Sequence, residues 1–141
     1  MKEYFSFSEA DTMVIAQNIC SNIQGGTVIA FYGGMGMGKT AFVRGALKAF
    51  NNESFVSSPT FSLVHDYGGD PHVYHFDMYR VSDLDDLYST GFFDYLDENS
   101  VLFIEWSENM EEALPENTVK VSISYGENEE SRIIKVSGGE F

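Results

Sequence analysis

Apolar and polar positions follow several distinct patterns along this chain, and each pattern predicts a type of element. An unbroken apolar run at 27–32 is typical of a strand buried on both faces of a sheet. The run at 101–104 has the same character and ends in an acid, Glu105. Segment 41–50 instead has helical spacing, with apolar residues at Phe42, Val43, Ala46, Leu47 and Phe50. These patterns predict an α/β fold with buried parallel strands.

Polar residues mark the starts of two further helices. Residues 2–7 are expected to form a short edge strand, after which Ser8 is expected to cap a helix that runs to about Ile23. Ser82 is expected to cap a short acidic helix at 83–88.

Two pairs of alternating segments predict antiparallel hairpins. Segments 61–67 and 72–77 look like strands, joined by a turn at 68–71 that contains two glycines and a proline. Near the C-terminal end, apolar residues alternate at 119–125 and again at 134–136, with a polar turn between them. The sheet is therefore expected to be mainly parallel, with an antiparallel hairpin as an extension.

The most informative motif lies between the first buried strand and the helix. Residues 33–40 fit G-x-x-x-x-G-K-[ST], the phosphate-binding loop of nucleotide-hydrolysing proteins. Glycines let the backbone approach a ligand closely, and the N–H groups of such a loop can form a cradle for oxyanions. Lys39 is expected to contact the β- and γ-phosphates, and the Thr40 hydroxyl to bind Mg²⁺. The strand before the loop and the helix after it place a helix N-terminus beside the phosphates.

Length and composition restrict the class of protein. The 141 residues, 43% of them hydrophobic, predict one globular domain over 1–141. We expect no membrane association, since no apolar run approaches the ~20 residues that a membrane span needs. The N-terminus has no signal-peptide pattern, and Cys20 is the only cysteine, so the sequence predicts a cytoplasmic protein without disulfides. Cys20 is expected to be a core residue.

The net charge is −14, with only eight Lys and Arg residues. Nucleic-acid binding depends on neutralising phosphates, so such an acidic surface should repel RNA. A role in RNA metabolism would therefore depend on a protein partner. A bound nucleotide would need local stabilisation by Lys39, Mg²⁺ and backbone amides against the overall field.

Two acids compete for one chemical role. Asp77 and Glu105 both end apolar runs, so both are expected at the rim of the sheet near the glycine loop. One would hold Mg²⁺ and the other would orient the attacking water, unless either simply faces solvent at a strand end. Thr60, which follows Pro59, is expected either to lie in a loop that closes over the γ-phosphate or to stabilise a turn through its hydroxyl. Trp106 is expected to shelter the nucleotide or to fill core.

Four motifs in this order and spacing resemble the TsaE family, the ATPase subunit of bacterial tRNA threonylcarbamoyladenosine biosynthesis. They are Gly36-Met37-Gly38-Lys39-Thr40, Ser58-Pro59-Thr60-Phe61, His75-Phe76-Asp77-Met78-Tyr79-Arg80 and Ile104-Glu105-Trp106. The loop alone occurs in very many proteins, whereas the combination is far more specific.

The resemblance implies a small three-layer P-loop NTPase-like α/β fold, ATP hydrolysis with Mg²⁺, and association with the TsaD–TsaB heterodimer, which itself handles the tRNA. It assigns Thr60 to a switch-like loop, and it assigns Asp77 and Glu105 to metal or water. The predicted catalytic residues are Lys39, Asp77 and Glu105, and the predicted metal ligands are Thr40, Glu105 and Asp77. The predicted nucleotide-binding residues are Gly33, Gly34, Gly36, Met37, Gly38, Lys39, Thr40, Ala41, Thr60 and Trp106.

The chain departs from the family pattern near the phosphates, and other functions stay open. The family usually has an acid at the position of Gly34, Ala at that of Met37 and Thr at that of Ala41. These departures keep open a nucleotide-dependent binding module with little catalysis. A small-molecule phosphotransferase is disfavoured because only three arginines occur, at 44, 80 and 132. A GTPase is disfavoured because no guanine-reading Asn/Thr-Lys-x-Asp motif occurs.

Overall fold

The computed structural model describes residues 1–33, 38–54, 64–79 and 81–138. In these ranges the strands are β1 (Lys2–Ser6), β2 (Thr27–Tyr32), β3 (Val64–Gly68), β4 (His72–Asp77), β5 (Ser100–Glu105), β6 (Val119–Tyr125) and β7 (Arg132–Ser137). The α-helices are α1 (Glu9–Cys20), α2 (Lys39–Ala49) and α3 (Leu84–Ser89), and 3₁₀ helices span Phe92–Tyr95 and Ser107–Ala113. None of the described helices is long and apolar enough to cross a membrane.

All seven strands form one sheet in the order β1-β7-β6-β2-β5-β4-β3. The four central strands β6, β2, β5 and β4 are parallel to one another. The outer pairs, β1 with β7, β7 with β6 and β3 with β4, are antiparallel. The predicted α/β class and mainly parallel sheet are therefore confirmed. The predicted C-terminal hairpin is also present, and its first strand additionally joins the parallel centre.

The two faces of the sheet bury different elements, which makes three layers. On one face, strand residues such as Phe31 and Phe103 pack with α1 and α2 in a single cluster. The Phe31 ring meets Phe42 of α2 edge-on at 5.3 Å between ring centroids. On the other face, strand residues such as Ile104 pack with Leu87 of α3 and with both 3₁₀ helices. Every residue of β5 is buried, because this strand is covered on both faces.

The predicted cap of α1 is correct, but the predicted helix end is not. The Ser8 side chain accepts a hydrogen bond from the Asp11 backbone N–H at 3.1 Å. The helix ends at Cys20 rather than near Ile23, and Ile23 enters the same core from beyond the helix end. Its buried residues are Thr12, Ala16, Ile19 and Cys20, so the predicted core position of Cys20 is confirmed.

The acidic helix α3 is capped by Asp83, not by Ser82 as expected. The Asp83 carboxylate accepts from the Asp86 backbone N–H at 2.8 Å. Ser82 is engaged differently, since its hydroxyl and its backbone N–H both donate to the Asp86 carboxylate. These two bonds hold the pKa of Asp86 below its ordinary value. The Ser82 hydroxyl thus supports the first turn from one residue further out.

Helices α1 and α2 approach each other closely at Gly45 of α2, which is buried. A Cβ atom added at Gly45 would lie 2.1 Å from the backbone oxygen of Met13 in α1. Such a contact is far inside van der Waals distance, and a backbone oxygen cannot swing aside as the end of a side chain can. Glycine at this position is what allows the two helices to share one apolar layer.

Replacing Gly45 by alanine should therefore destabilise the protein. Alanine favours a helix over glycine by about 1 kcal/mol, whereas overpacking a core typically costs about 1–3 kcal/mol. Because the clash is with backbone, we expect a net loss of about 1–3 kcal/mol in the free energy of unfolding, measured in guanidinium. The exposed Lys48 of α2 is the control, and Lys48→Ala should change stability by no more than about 0.5 kcal/mol. Equal stability of G45A and wild type would contradict this close packing.

The single cysteine should be unreactive in the folded protein. Cys20 is 1% exposed, and burial raises the pKa of its thiol to about 12. Since the thiolate is the reactive form, we expect labelling by a disulfide reagent at pH 8 to be slower than in guanidinium by about 1,000-fold or more. Absorbance of the released thiol measures both rates, and every signal comes from Cys20. Rapid native labelling would place this thiol outside the core.

Candidate functional site

Three strands of the parallel centre end at the same edge of the sheet. In β2, β5 and β4 the last residues are Tyr32, Glu105 and Asp77. Asp77 and Glu105 are directly opposite each other in the register of β4 and β5. In open α/β sheets, ligands bind outside the carboxyl ends of the strands, so this edge is the expected location of a site.

The chain crosses this edge between β2 and α2. Gly33, just after β2, has φ +125°, and a Cβ there would lie 2.6 Å from the backbone oxygen of Ile123. Helix α2 then begins at Lys39, with Gly38 as its N-cap, and no side chain caps its first turn. The first N–H groups of a helix lack intrahelical partners and carry the positive end of the helix dipole. The start of α2 is therefore suited to an anion.

A cavity of about 630 Å³ opens at the start of α2. Its wall includes Gly38, Lys39, Thr40 and Ala41, all from the sequence motif or the residue after it. It also includes Glu105, Trp106, Arg44, Arg132, Ser8, Glu9, Thr12, Glu129 and Glu130. Lys39, Arg44 and Arg132 are three of the eight basic residues in the sequence. Three cations therefore lie in the wall beside four glutamates, Glu9, Glu105, Glu129 and Glu130, so the wall has mixed charge.

Lys39 is buried beside the cavity and faces an aromatic ring. The residue is 5% exposed, and its Nζ lies 5.2 Å from the centroid of the Trp106 ring. No carboxylate of the described ranges pairs with Nζ at salt-bridge distance. A buried ammonium is costly unless it is paired, and a cation–π contact supplies only part of the compensation. The position of Lys39 is what a binding site for an anionic group requires.

Trp106 is held in an unusual conformation directly after β5. Its φ of 62° lies in the left-handed region, which is a genuine outlier for a bulky residue. The Tyr79 ring packs edge-on against it, at 4.9 Å between ring centroids. Backbone in this region costs about 1–3 kcal/mol and tends to occur at binding sites. The turn after β5 thus directs the indole towards Lys39.

Glu105 has a close partner inside the protein. Its Oε2 lies 3.0 Å from Nε2 of His75, which is fully buried on β4. The two atoms are within ion-pair distance, but the contact does not have the geometry of an aligned hydrogen bond. On the other side of the ring, His75 Nδ1 lies 3.5 Å from the Tyr67 hydroxyl. Glu105 therefore faces the cavity while it contacts a buried imidazole.

Asp77 is adjacent to Glu105 but is engaged elsewhere. Its Oδ1 accepts a hydrogen bond from the Tyr79 backbone N–H at 3.0 Å. The residue is half-buried and is not part of the cavity wall. Of the two acids that the sequence placed at the rim, the structure brings Glu105 into the cavity, whereas Asp77 supports the turn after β4.

A second polar cluster secures the end of β2. The Tyr32 hydroxyl donates to Glu111 Oε1 at 3.2 Å, and Lys120 Nζ donates to the same oxygen at 3.1 Å. Burial, followed by the negative charge of Glu111, raises the pKa of Tyr32 to about 12. The hydrogen bond and charge of Lys120 lower the pKa of Glu111. Tyr32 is therefore a neutral donor at physiological pH, and it ties β2 to the 3₁₀ helix after β5.

Several predicted site residues lie outside the described residues. These are Gly34, Gly36, Met37 and Thr60. Arg80, which ends one of the motifs, lies outside them as well. Their roles stay predictions from the sequence.

Sequence reasoning missed two parts of the site. His75 carried a usable signal, because a residue two positions before Asp77 on a strand shares its face. Arg132 and the residues near Ser8 carried none, since no local pattern connects them with the motif. They reach the cavity only because β7 returns beside β1 in the sheet.

The fold and the cavity define an α/β protein with its site at the carboxyl edge of a parallel sheet, at the start of the helix that follows β2. The structure is similar to a crystal structure of Bacillus subtilis YdiB, with a TM-score of 0.79 over 99% of this chain and 86% of that one. The identity in that comparison is 24%, so it supports the fold only.

Sequence comparison then gives the family. The sequence model of threonylcarbamoyl adenosine biosynthesis protein TsaE matches residues 6–134. The tRNA threonylcarbamoyladenosine biosynthesis protein TsaE of Aquifex aeolicus is 39% identical over 134 residues, which cover 87% of this chain and 96% of that protein. The TsaE of Haemophilus influenzae is 40% identical over 94 residues, 66% of this chain but only 60% of that protein. The chain belongs to the TsaE family, whose members are named for tRNA threonylcarbamoyladenosine biosynthesis.

Proposed function

We propose that this chain is the ATP-binding and ATP-hydrolysing subunit of threonylcarbamoyladenosine formation on tRNA, acting through the TsaD–TsaB heterodimer. The observation that carries the proposal is the position of Lys39. It is a buried ammonium at the uncapped start of a helix, it lines a cavity of about 630 Å³, and it shares that cavity with Glu105. A triphosphate would satisfy the lysine and the helix N-terminus at the same time.

The donor groups at the cavity also fit Mg²⁺. This ion keeps several waters and is usually bound by one or two protein oxygens together with substrate phosphates. No cluster of three or more potential ligands from His, Cys, Asp and Glu occurs in the described part of the chain, so a site built from protein groups alone is not expected there. The Thr40 hydroxyl and the Glu105 carboxylate would hold the ion. When bound, the ion would neutralise charge that develops on the β- and γ-phosphates.

The protein groups would act mainly by positioning and by charge. Phosphoryl transfer needs little covalent help, so Lys39 and the first amides of α2 would hold the phosphates in place. Glu105 would orient a water or the ion, and Trp106 would exclude bulk solvent from one side. Asp77 would contribute by holding the turn that carries Tyr79 against Trp106.

The charge distribution favours a protein partner over direct contact with tRNA. The net charge of −14 opposes binding to a polyanion, and three of the basic residues line the cavity. We therefore propose that the TsaD–TsaB heterodimer holds the tRNA and that ATP hydrolysis by this chain acts on the heterodimer.

Partner dependence tests this proposal directly. Purified chain should bind TsaD–TsaB in a pull-down with ATP or ADP present, and its ATP turnover should rise about 100-fold or more in the complex, the lower end of a typical general acid–base contribution. Phosphate release measures turnover, and TsaD–TsaB without this chain is the background. Absence of both complex formation and turnover would refute the proposal.

A binding module with little catalysis is the second candidate. It is favoured by the engagement of Asp77 away from the cavity, which leaves Glu105 as the only one of the two acids in the wall. It is also favoured by the departures at Gly34 and Ala41 from the family pattern. Such a module would respond to ATP and ADP by changing its affinity for the partner without turnover.

Substitution of Glu105 separates the two candidates. For an ATPase, Glu105→Gln should lower turnover by about 100-fold or more, because it removes a charge that acts near the reacting groups. Binding of ATP should persist, and emission of the single tryptophan, Trp106, should report it. The exposed Glu112→Gln is the matched control and should behave as wild type. Equal turnover of E105Q and E112Q would favour the binding module.

A further inference from the structure

We propose that His75 is a positioning residue that holds the Glu105 carboxylate in its working orientation, an inference that rests on the function proposed above. His75 Nε2 and Glu105 Oε2 are 3.0 Å apart. The histidine side chain is 0% exposed, whereas the Glu105 side chain is 12% exposed. One carboxylate oxygen is thus approached from inside the protein, while the side chain still lines the cavity.

The sheet register places this pair together. Asp77 lies opposite Glu105, and His75 lies two residues before Asp77 on the same strand. Side chains two apart on a strand share one face, so His75 is a diagonal neighbour of Glu105 across β4 and β5. The contact therefore depends on the parallel pairing of β4 with β5, and no loop contributes to it.

Packing alone does not account for an imidazole at this position. The neighbours of His75 on this face of β4 and β5 include Val73 and Phe103, and both belong to the apolar core. A polar ring buried among such residues is costly unless its nitrogens have partners. The polar group that the structure places beside Nε2 is the Glu105 carboxylate, which lines the cavity.

A hydroxyl on the other side of the ring completes the arrangement. Tyr67 on β3 places its hydroxyl 3.5 Å from His75 Nδ1 and 3.4 Å from His65 Nδ1. If the hydroxyl donates to His75 Nδ1, the proton of the neutral ring lies on Nε2, which faces Glu105. Catalytic hydrogen bonds are often long or poorly aligned before a ligand binds, which matches the unaligned contact between Nε2 and Oε2.

Kinetics of His75 variants test the positioning role. Loss of an outer-shell partner typically costs about 10–100-fold in activity, so His75→Leu should lower kcat in the TsaD–TsaB complex by that factor. The Kd for ATP, measured by Trp106 emission, should change by less than about 3-fold, since Lys39 and α2 are untouched. His75→Gln keeps an N–H donor and should retain kcat within about 5-fold of wild type. The matched control is His72→Gln on the same strand, because His72 pairs with Asp66 outside the cavity.

A spectroscopic measurement tests the contact without ATP. Two-bond proton–nitrogen spectra of the free protein report which ring nitrogen carries the proton. The chain has three histidines, and the spectra of H75Q and H72Q assign their signals. We expect the His75 proton on Nε2, and we expect its signals to move in Glu105→Gln.

The possible results separate this inference from the proposed function. An absence of turnover by wild-type complex would overturn both. Normal wild-type turnover together with full kcat in His75→Leu would overturn the positioning role alone. If His75→Leu does not fold, the spectra of wild type decide, and a His75 Nε2 without a proton would overturn the proposal. If His75→Leu loses ATP binding as well as turnover, the role of His75 is structural and the positioning role is overturned.

Discussion

The pairing of β5 between β2 and β4 is the constraint on which the rest of the structure depends. Ala30 lies opposite Ile104 on one side, and Asp77 lies opposite Glu105 on the other. A slip of one residue in either pairing would turn Glu105 to the opposite face of the sheet, away from α2. The buried apolar residues of β5 set this register, because both faces of the strand are covered.

The charges at this edge of the sheet determine how an acidic chain could bind an anionic ligand. An acidic chain repels a polyanionic ligand at long range, so the attraction must be local. The groups that could supply it are the start of α2, Lys39 and two arginines, which line one cavity together with four glutamates. Burial of Lys39 would strengthen its interaction with an anion by lowering the effective dielectric constant around it. A local site for an anion is therefore compatible with a strongly acidic chain.

Much of the fold and part of the site could be predicted from local patterns. The runs at 27–32 and 101–104 identified the buried strands, and the glycine motif located the start of α2, because each signal lies within one segment. The errors occurred at helix boundaries. Local residues do not decide whether Ser82 or Asp83 caps α3, and they do not decide where α1 ends. Asp83 is the cap, and Ser82 donates to Asp86 instead. Arg132 could not be assigned to the site from its own surroundings, since the pairing of β7 with β1 brings it there, whereas the spacing of His75 from Asp77 was a usable signal.

The sequence by itself determined the class of fold, the position at which α2 starts after the glycine motif and the presence of two acids at strand ends. These features follow from spacing and residue type along one stretch of chain, where steric and hydrogen-bonding rules act locally. Only the tertiary structure decided that Glu105 lines the cavity while Asp77 holds a turn, that Lys39 faces Trp106, and that His75 contacts Glu105. The physical reason is that each of these contacts joins residues from separate elements, and only the strand register and the packing of helices on the sheet set their distances.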